Sequence, residues 1–577
     1  MCDDPQGPAS LKVTLPDGSQ LRGAANDRVP SSRSFKGIPF AVPPLGTLRW
    51  KHPSPAAPWD GVRDATRSPA DSRCAAWDES RGRLRDGTSE NCLYLDVYTP
   101  GSQAEAALPV AVWLHGGAWV AGSGQDFDGG RLTEEANLVV VSINYRLGIL
   151  GWWGDEALRV RNAASGRGER SCTTGNWGLF DQRLALTWVQ ANIAAFGGDP
   201  SNVMLWGESA GAGSIAVHLT TEASFALFHK ATMQSGGFAN WNAASWHDKT
   251  ERFAGIEKSS IATVLGCAEP LSILCFENAA VVDLLRAVST VEDYIISADQ
   301  MLAFPWCPTV DGVEVLAPPL QRLTAGDHKR CPIIIGTNDD EDFVFDPNAA
   351  PISVRTYDAF IDAASSPLAT ALQITPAQAV SLFMSWYPPA TYEERHGLLP
   401  TSGWSVLARF DARWMSLDAY LADRDFSCST RMAARMWRQS VFLYRFIATP
   451  LARNRIPFAF HGADVKFFSD TLDVTATASD RELASTMVAL FSNFAHISLR
   501  SSERSGIPDA TTVHLPAWMQ YRPSGDADGE YMQFGSDAVV VVRGYREECE
   551  FVEPLVAAAS SSVQVDVALS QSLCSGH

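Results

Sequence analysis

The sequence has 577 residues, of which 46% are hydrophobic and 19% are charged, proportions typical of a globular protein with a large core. A formal net charge of -19 argues against a nucleic-acid or anionic-membrane partner, which would require a basic surface. No apolar run reaches the ~18–20 residues of a membrane-spanning helix, and the N-terminus lacks the basic and apolar regions of a signal peptide. The sequence therefore predicts no nucleic-acid partner and no stable membrane insertion.

The predicted elements alternate between short strands and helices after an N-terminal hairpin. Residues 11–23 alternate apolar and polar side chains around a Pro-Asp-Gly turn, which predicts that hairpin. Helical patterns begin at Leu179 and Arg481. Continuous apolar runs predict strands that are buried on both faces, and these runs begin at Pro109, Leu138, Asn202, Pro332 and Ser440. The alternation predicts an α/β fold with a large, mostly parallel central sheet covered by helices on both faces.

The stretch LWGESAGAGS (205–214) places Ser209 two residues from a glycine on either side, directly after an apolar run. A strand that turns sharply into a helix needs small neighbours, and it exposes its turn residue beside the N–H groups of the helix start. The pattern therefore indicates a nucleophile elbow. A glycine-rich loop is the alternative, because a G-x-S-x-G pattern also arises by chance in long chains.

Other stretches can supply the remaining groups of a serine hydrolase. The strand from Pro109 ends in HGGA (115–118), whose small residues can point backbone N–H groups at an oxyanion. The strand from Pro332 ends in four successive carboxylates (339–342) at the sheet edge where α/β proteins bind ligands. A solvated turn or a calcium loop is the alternative there, and the residues alone do not choose among the four acids.

Five histidines follow these acids, and His461 is the strongest candidate for a catalytic base. It lies on a loop beside Gly462, fifteen residues beyond a predicted strand. In contrast, His496 falls on a helical face and His577 lies close to the C-terminus, so both are expected to be structural or solvated.

In this order the motifs resemble the type-B carboxylesterases, an α/β-hydrolase family that includes cholinesterases and several fungal lipases. The resemblance covers nearly the whole chain. It is carried by FKGIPFAVPPLGTLRW (35–50), SENCLYLDVYTP (89–100), VVVSINYRLGILGW (139–152), GNWGLFDQRLALTWVQANIAAFGGDPSNVMLWGESAGAGS (175–214), MQSGG (233–237), PTVDG (308–312), GTNDDEDF (336–343), FHGAD (460–464) and SNFA (492–495).

The resemblance implies hydrolysis of carboxylic esters through an acyl-enzyme, without a cofactor or metal. Its pattern assigns the catalytic triad to Ser209, His461 and Glu341. The oxyanion donors fall on Gly117, Ala118 and Ala210, and two further positions that support the triad fall on Glu208 and Ser235.

Two positions depart from the family pattern, because Asp342 and Ala118 stand where glycine is usual. The added carboxylate of Asp342 is expected to weaken Glu341 as a partner of His461. Ala118 still donates its N–H, so the oxyanion hole is expected to form.

The resemblance also pairs six cysteines, as Cys74–Cys92, Cys267–Cys275 and Cys428–Cys549. Disulfides persist in oxidising compartments, so we expect a secreted or lumenal protein whose signal peptide has been removed. An odd number of cysteines remains, and buried thiols are expected for two of them, Cys307 and Cys331. The others are Cys2, Cys172 and Cys574.

Aromatic residues at Trp119, Trp241, Phe304 and Trp306 predict an apolar acyl pocket, with core packing as the alternative for each. The first disulfide loop has no aromatic residue near Gly82, where cholinesterases hold their ammonium ligand, and it has too few apolar residues for a lipase lid. We therefore expect a general carboxylesterase acting on a small-molecule ester. The alternatives are a lipase, a cholinesterase-like enzyme and a non-catalytic, neuroligin-like binding module.

A single catalytic domain is expected over residues 1–555, followed by a loosely ordered C-terminal tail over 556–577. A homodimer is an open alternative for the oligomeric state.

Overall fold

A computed structural model of the protein describes residues 11–101, 107–163, 172–246, 261–267, 273–298, 306–341, 369–370, 373–392, 412–448, 459–468, 472, 476–497, 506–507, 518–523, 529–536, 538–545 and 548–562. The chain divides into two compact units. The described residues up to Ala231 and from Trp241 to Pro319 belong to the first unit, and the second comprises Thr232–Asn240 and Leu320–Ser562. The single catalytic domain predicted above stays a prediction.

In chain order the described strands are β1 (Lys12–Thr14), β2 (Gln20–Arg22), β3 (Ala24–Ala25), β4 (Ser32–Pro39), β5 (Val62–Asp64), β6 (Arg73–Cys74), β7 (Trp77–Asp78), β8 (Arg83–Leu84), β9 (Thr88–Ser89), β10 (Tyr94–Pro100), β11 (Leu108–Leu114), β12 (Val139–Ile143), β13 (Gly198–Glu208), β14 (Lys230–Gln234), β15 (Ala244–Ser245), β16 (Thr309–Val310), β17 (Ile333–Asn338), β18 (Val441–Phe446), β19 (Gly506–Ile507), β20 (Trp518–Met519), β21 (Glu530–Phe534) and β22 (Val539–Arg543).

The described α-helices are α1 (Gly130–Ala136), α2 (Gly148–Trp152), α3 (Glu156–Ala163), α4 (Trp177–Asn192), α5 (Ala210–Thr220), α6 (Ile261–Leu265), α7 (Ile273–Asn278), α8 (Val281–Ala298), α9 (Pro319–Ala325), α10 (Pro376–Trp386), α11 (Ala412–Ala422), α12 (Cys428–Met436), α13 (Val465–Phe468), α14 (Ala478–His496) and α15 (Cys549–Ser562). A π-helical turn, Asp423–Ser427, joins α11 to α12. In the part of the chain that the structure describes, no helix is long and apolar enough to span a bilayer.

The N-terminal hairpin is confirmed. β1 pairs with β2 in antiparallel fashion, with Val13 opposite Leu21. Gly18 closes the turn with a φ of 91°, a conformation that glycine adopts without a steric penalty. β2 also pairs in parallel with β5, which extends the hairpin into a small sheet.

The sheet of the first unit has parallel strands in its interior and antiparallel strands at one edge. β11 pairs in parallel with β12 on one side and with β13 on the other. β10 pairs in antiparallel fashion with both β12 and β4, and β3 follows β4 in the same sense. β11 and β12 are buried at every residue, which is why their sequences are apolar without alternation. The predicted strands from Pro109, Leu138 and Asn202 are confirmed.

The second unit repeats this arrangement. β17 pairs in parallel with β18, β18 pairs in parallel with β21, and β22 closes the edge in antiparallel fashion. The predicted strands from Pro332 and Ser440 are confirmed as β17 and β18, and an α/β architecture is present in each unit.

Helix α14 shows why the helical pattern from Arg481 begins three residues earlier, at Ala478. The hydroxyl of Thr477 accepts the N–H of Asp480, and the Asp480 carboxylate accepts the N–H of Thr477 at 2.8 Å. This capping box satisfies two N–H groups that the first turn leaves without intrahelical partners. The helix then buries residues at helical spacing, among them Leu483, Met487 and Phe494.

The C-terminal helix α15 passes the boundary predicted at residue 555. Residues 556–562 are helical, so the prediction of a loosely ordered tail is wrong for them, and 563–577 lie outside the described residues. The physical reason is an apolar face, because Val552 and Val556 have no exposed surface and Leu555 is nearly buried. A disulfide between Cys428 and Cys549 also ties the start of α15 to the start of α12.

Candidate active site

Ser209 stands on a sharp turn between β13, which ends at Glu208, and α5, which begins at Ala210. Its φ of 55° and ψ of -125° are strained for a residue with a side chain. The flanking glycines are required by close approaches. A Cβ on Gly211 would lie 2.0 Å from the carbonyl oxygen of Leu114, and one on Gly207 would lie 2.7 Å from the carbonyl carbon of Gly211. The strand–turn–helix geometry of an elbow is therefore present, and a simple glycine-rich loop is excluded.

His115 anchors the loop that follows β11. Its Nδ1 lies 2.8 Å from the carbonyl oxygen of Gly116 and must donate, since a carbonyl oxygen can only accept. The hydroxyl of Tyr145 donates to the carbonyl of His115 at 2.6 Å, and the two rings stack 4.3 Å apart. Burial lowers the pKa of His115 to about 4, so the imidazole is neutral at pH 7 and holds the loop through its Nδ1–H.

The loop itself has three successive residues with positive φ, namely 103° at Gly117, 52° at Ala118 and 59° at Trp119. The carbonyl of Gly117 accepts the N–H groups of Val120 and Ala121 at 3.0 Å each, which closes the turn. Turns of this kind can direct neighbouring backbone N–H groups toward an anion.

This loop contacts the elbow. A Cβ on Gly116 would lie 2.7 Å from Oε2 of Glu208 and 3.0 Å from Cβ of Ser209. Ala210 is the first residue of α5, where N–H groups lack intrahelical acceptors and the helix dipole favours negative charge. The structure thus brings the loop of the predicted donors Gly117 and Ala118 against the turn that carries Ser209 and Ala210.

Glu341 and His461 form a hydrogen-bonded pair in the second unit. Nδ1 of His461 donates to Oε2 of Glu341 at 2.7 Å, and the other carboxylate oxygen accepts the N–H of Asn338 at 2.6 Å. The Glu341 side chain has no exposed surface, and that of His461 is 7% exposed. Because a carboxylate only accepts, Nδ1 carries a proton and Nε2 of the neutral ring is left as the acceptor.

The neighbouring carboxylates have other partners. Asp339 forms an ion pair with Arg445. Asp340 bridges to the loop before His461, since its Oδ2 accepts the N–H of Ala459 at 3.1 Å. Asp342 lies outside the described residues, so its predicted effect on Glu341 stays a prediction. Among the described acids of this run, Glu341 is the one that hydrogen-bonds to His461.

Two residues that contact His461 or its loop were not predicted from the sequence. Asp464 accepts hydrogen bonds from the Tyr444 hydroxyl and from Nε2 of Gln234, each at 2.8 Å, so it fastens the loop of His461 to the strands. Burial raises the pKa of Asp464. The sequence does contain a signal for Asp464, because this residue is the last one of the motif FHGAD (460–464). The second residue is Phe426, on the π-helical turn, whose ring lies 4.9 Å from that of His461. The sequence did not predict this contact, because no sequence pattern indicates a π-helical turn.

Ser235 and Glu208 are both buried next to predicted site residues. Ser235 has a φ of 52°, and its N–H donates to the carbonyl of Gly336 at 2.9 Å, which ties the MQSGG turn to the strand before Glu341. Glu208 is the residue before the elbow, and its carboxylate occupies the space beside Gly116.

The aromatic residues predicted to line an acyl pocket differ in their solvent exposure. Trp119 has no exposed surface and Trp306 is 1% exposed, so both indoles are buried, and their predicted place in an acyl pocket stays a prediction. Trp241 is partly exposed and its ring lies 5.6 Å from that of Trp119. Phe304 lies outside the described residues.

The three predicted disulfides are present, linking Cys74 to Cys92, Cys267 to Cys275 and Cys428 to Cys549. The predicted thiols Cys307 and Cys331 are buried. Cys172 is disulfide-bonded as well, and Cys2 and Cys574 lie outside the described residues.

Comparison with known proteins gives the same family as the motifs. The sequence profile of the carboxylesterase family matches residues 9–552. A cocaine esterase of Homo sapiens is 32% identical over 533 residues, covering 88% of this chain and 84% of that protein. A liver carboxylesterase of Sus scrofa is 31% identical over 554 residues, 90% of this chain and 88% of that protein. An acylcarnitine hydrolase of Mus musculus is 38% identical over 339 residues, 56% of this chain and 54% of that protein, so this match spans about half of each.

The profile and two of these relatives cover most of the chain, and ester hydrolysis is common to the family. The protein is therefore a member of the carboxylesterase family, a hydrolase of carboxylic esters with the α/β-hydrolase fold.

Proposed function

We propose that the protein is a general carboxylesterase in which Ser209 is the nucleophile, His461 the general base and Glu341 its carboxylate partner. The observation that carries the proposal is the 2.7 Å hydrogen bond between His461 and Glu341, because it fixes the tautomer whose Nε2 can accept a proton. The strained turn at Ser209 supports the choice of nucleophile, since such strain concentrates at functional sites.

In the proposed acylation step, Nε2 of His461 takes the proton of Ser209 as Oγ attacks the carbonyl carbon of the ester. Glu341 stabilises the imidazolium that forms. The N–H groups of Gly117, Ala118 and Ala210 stabilise the negative charge on the former carbonyl oxygen. His461 then returns the proton to the leaving alcohol, and the acyl group stays on Ser209.

Deacylation uses the same groups with water as the nucleophile. His461 takes a proton from water as the water oxygen attacks the acyl carbon. The intermediate then collapses with cleavage of the bond between the acyl carbon and Oγ, His461 returns its proton to Oγ of Ser209, and the carboxylic acid is released. In this scheme Glu208 holds the elbow in place, and Ser235 holds the turn after β14 against β17.

The first disulfide loop favours a general carboxylesterase over a lipase. Between Cys74 and Cys92, β7 and β8 form an antiparallel pair whose surface carries the exposed ion pair of Arg83 with Asp86, at 2.6 Å. A lipase lid needs an apolar face instead. The turn residue Gly82 offers no aromatic ring for a quaternary ammonium, which disfavours a cholinesterase-like enzyme, and Trp77 is partly buried within β7.

We further propose that the protein works in an oxidising, secreted or lumenal compartment, since its disulfides would not persist in the cytosol. A homodimer stays open as the oligomeric state.

A panel of nitrophenyl esters of increasing acyl length, run beside a choline ester, tests the substrate class. We expect hydrolysis of dissolved short and medium esters and slow turnover of the choline ester. A faster choline ester would indicate a cholinesterase, activity only above the solubility limit would indicate a lipase, and no turnover of any ester would contradict catalysis.

Substitution of the nucleophile tests the mechanism. Ser209→Ala should lower kcat by several orders of magnitude without changing the circular dichroism spectrum. Ser201→Ala, at an exposed position of the strand β13, is the matched control and should behave as wild type. Retention of more than a few per cent of activity by Ser209→Ala would contradict the proposed nucleophile.

A further inference from the structure

A chain of buried hydrogen bonds leads away from Trp119 through the first unit. Nε1 of Trp119 donates to Oγ of Ser214 at 2.9 Å, and Nε2 of Gln182 donates to the same oxygen at 3.1 Å. Oε1 of Gln182 lies 3.0 Å from Nε2 of His218. All four side chains have no exposed surface, so none of these bonds competes with bulk water.

The chain continues from His218 toward a charged pair. Nδ1 of His218 lies 2.9 Å from Oγ of Ser224, and Nε of Arg183 donates to that oxygen at 3.2 Å. Arg183 in turn forms an ion pair with Glu314. The chain thus ends at a fixed positive charge on α4.

The protons of this chain have one consistent arrangement. The Gln182 nitrogen donates to Ser214, so its oxygen must accept from Nε2 of His218. Nδ1 of His218 must then accept from the Ser224 hydroxyl, whose oxygen accepts from Arg183. Burial, followed by the charge of Arg183, lowers the pKa of His218 to about 3, which keeps the imidazole in the neutral form that the chain requires.

Trp119 is held at its backbone as well as at its side chain. Its carbonyl accepts the N–H of Gly148 at 2.7 Å, and its ring packs against Trp152 and Trp241. Trp119 directly follows Ala118, and the positive φ of both residues is a strained conformation that persists only where surrounding contacts fix it. Ser214 lies on α5, one helical turn beyond Ala210. The indole N–H therefore links the oxyanion loop to the helix that starts at the elbow.

We infer that Trp119 is a positioning residue for the oxyanion hole. Its indole N–H, held by Ser214 and the chain behind it, fixes the N–H groups of Gly117 and Ala118 relative to α5. The inference rests on the proposed role of these groups and Ala210 as oxyanion donors. Packing alone does not require the bond, since phenylalanine would fill much of the same space without a donor.

Trp119→Phe removes the donor and keeps an aromatic ring. We expect kcat to fall about tenfold with KM within about twofold, because misplaced oxyanion donors weaken transition-state binding more than substrate binding. Ser214→Ala should shift kcat in the same direction. The double variant should have a kcat only slightly below that of the less active single variant, because both substitutions remove the same hydrogen bond.

Trp518→Phe is the matched control. Trp518 is 1% exposed, and its Nε1 donates to the carbonyl of Leu443 at 3.1 Å in the second unit. The Trp518→Phe variant loses the same kind of hydrogen bond, but away from the oxyanion loop. Its kcat should therefore match that of the wild type even if its melting temperature falls.

A trifluoromethyl ketone separates positioning from a purely structural role. Its hemiketal with the active-site serine carries an oxyanion, so its Ki should rise about tenfold in Trp119→Phe, in parallel with the loss of kcat. A lowered melting temperature with unchanged kcat and unchanged Ki would overturn the inference while the proposed function stands. Full activity of Ser209→Ala would overturn the proposed function and this inference with it.

Discussion

At the scale of single residues, the catalytic acid is the assignment that needed the structure most. Four carboxylates follow β17, and the described ones have different partners: Asp339 pairs with Arg445, Asp340 binds the backbone at Ala459, and Glu341 binds His461. These partners lie about a hundred positions away, so sequence neighbours could not distinguish the acids. The family pattern selects Glu341, and the hydrogen bond between Glu341 and His461 supports the proposal that it is the catalytic acid.

Glu341→Gln should lower kcat by orders of magnitude, because an amide cannot stabilise the imidazolium and can hold the wrong tautomer of His461. Initial rates with a nitrophenyl ester measure the effect. Asp340→Asn, beside it, is the control and should have a small effect. An almost silent Glu341→Gln together with an inactive Asp342→Asn would move the catalytic carboxylate by one position.

His218 predicts how stability depends on pH. Its pKa is about 3 when folded, whereas an unfolded histidine has a pKa of about 6.5. Between these values the unfolded chain binds a proton that the folded protein does not, so this residue makes the protein less stable as pH falls from 6.5 toward 3. Burial raises the pKa of Asp96 and Asp311 to about 6, and these groups act in the opposite direction over pH 6 to 4.

Comparison with His218→Gln isolates the histidine, since the aspartates and His115 are common to both proteins. Relative to wild type, the variant should gain up to about 1.4 kcal/mol of stability per pH unit as the pH falls from 6.5 toward 3. Urea unfolding at pH 7 and pH 5 measures this difference. Parallel curves for the two proteins would show that His218 does not stay neutral in the folded state.

At the scale of elements, the glycines of the elbow are required by close packing as well as by the proposed chemistry. A Cβ on Gly211 would lie 2.0 Å from a backbone oxygen of β11, which no rotamer change can relieve. Gly211→Ala should therefore abolish folding or ester hydrolysis. Gly82→Ala is the contrast, because nothing lies within 4 Å of its Cβ and the cost is its left-handed φ alone, about 1–2 kcal/mol. Equal melting temperatures and activities for the two variants would contradict this reading.

Elements were predictable where one local pattern was sufficient. Fully buried strands such as β11 and β17 have continuous apolar sequences, and the PDG turn marks the N-terminal hairpin. The end of α15 was not predictable in the same way. Its apolar residues are followed directly by small and polar residues, a composition that is typical of a loosely ordered tail. The complete burial of Trp119 and the near-complete burial of Trp306 depend on long-range packing, which the local sequence around each residue does not reveal.

At the scale of the whole molecule, the disulfides Cys74–Cys92, Cys267–Cys275 and Cys428–Cys549 support the proposed secreted or lumenal compartment. Peptide mapping without reduction should recover 74–92, 267–275 and 428–549 as linked pairs, with Cys307 and Cys331 alkylated only after unfolding. Finding Cys92 as a free thiol in the native protein would contradict the proposed compartment.

The central claim is that one serine, activated by His461 and Glu341, carries out ester hydrolysis. Titration with an organophosphate, followed by peptide mass spectrometry, tests it most directly. The account predicts one phosphoryl group per chain, located on Ser209, with activity lost in proportion to labelling, and no labelling at that rate in Ser209→Ala or His461→Ala. Labelling of a different serine, or full activity after stoichiometric labelling of Ser209, would contradict it.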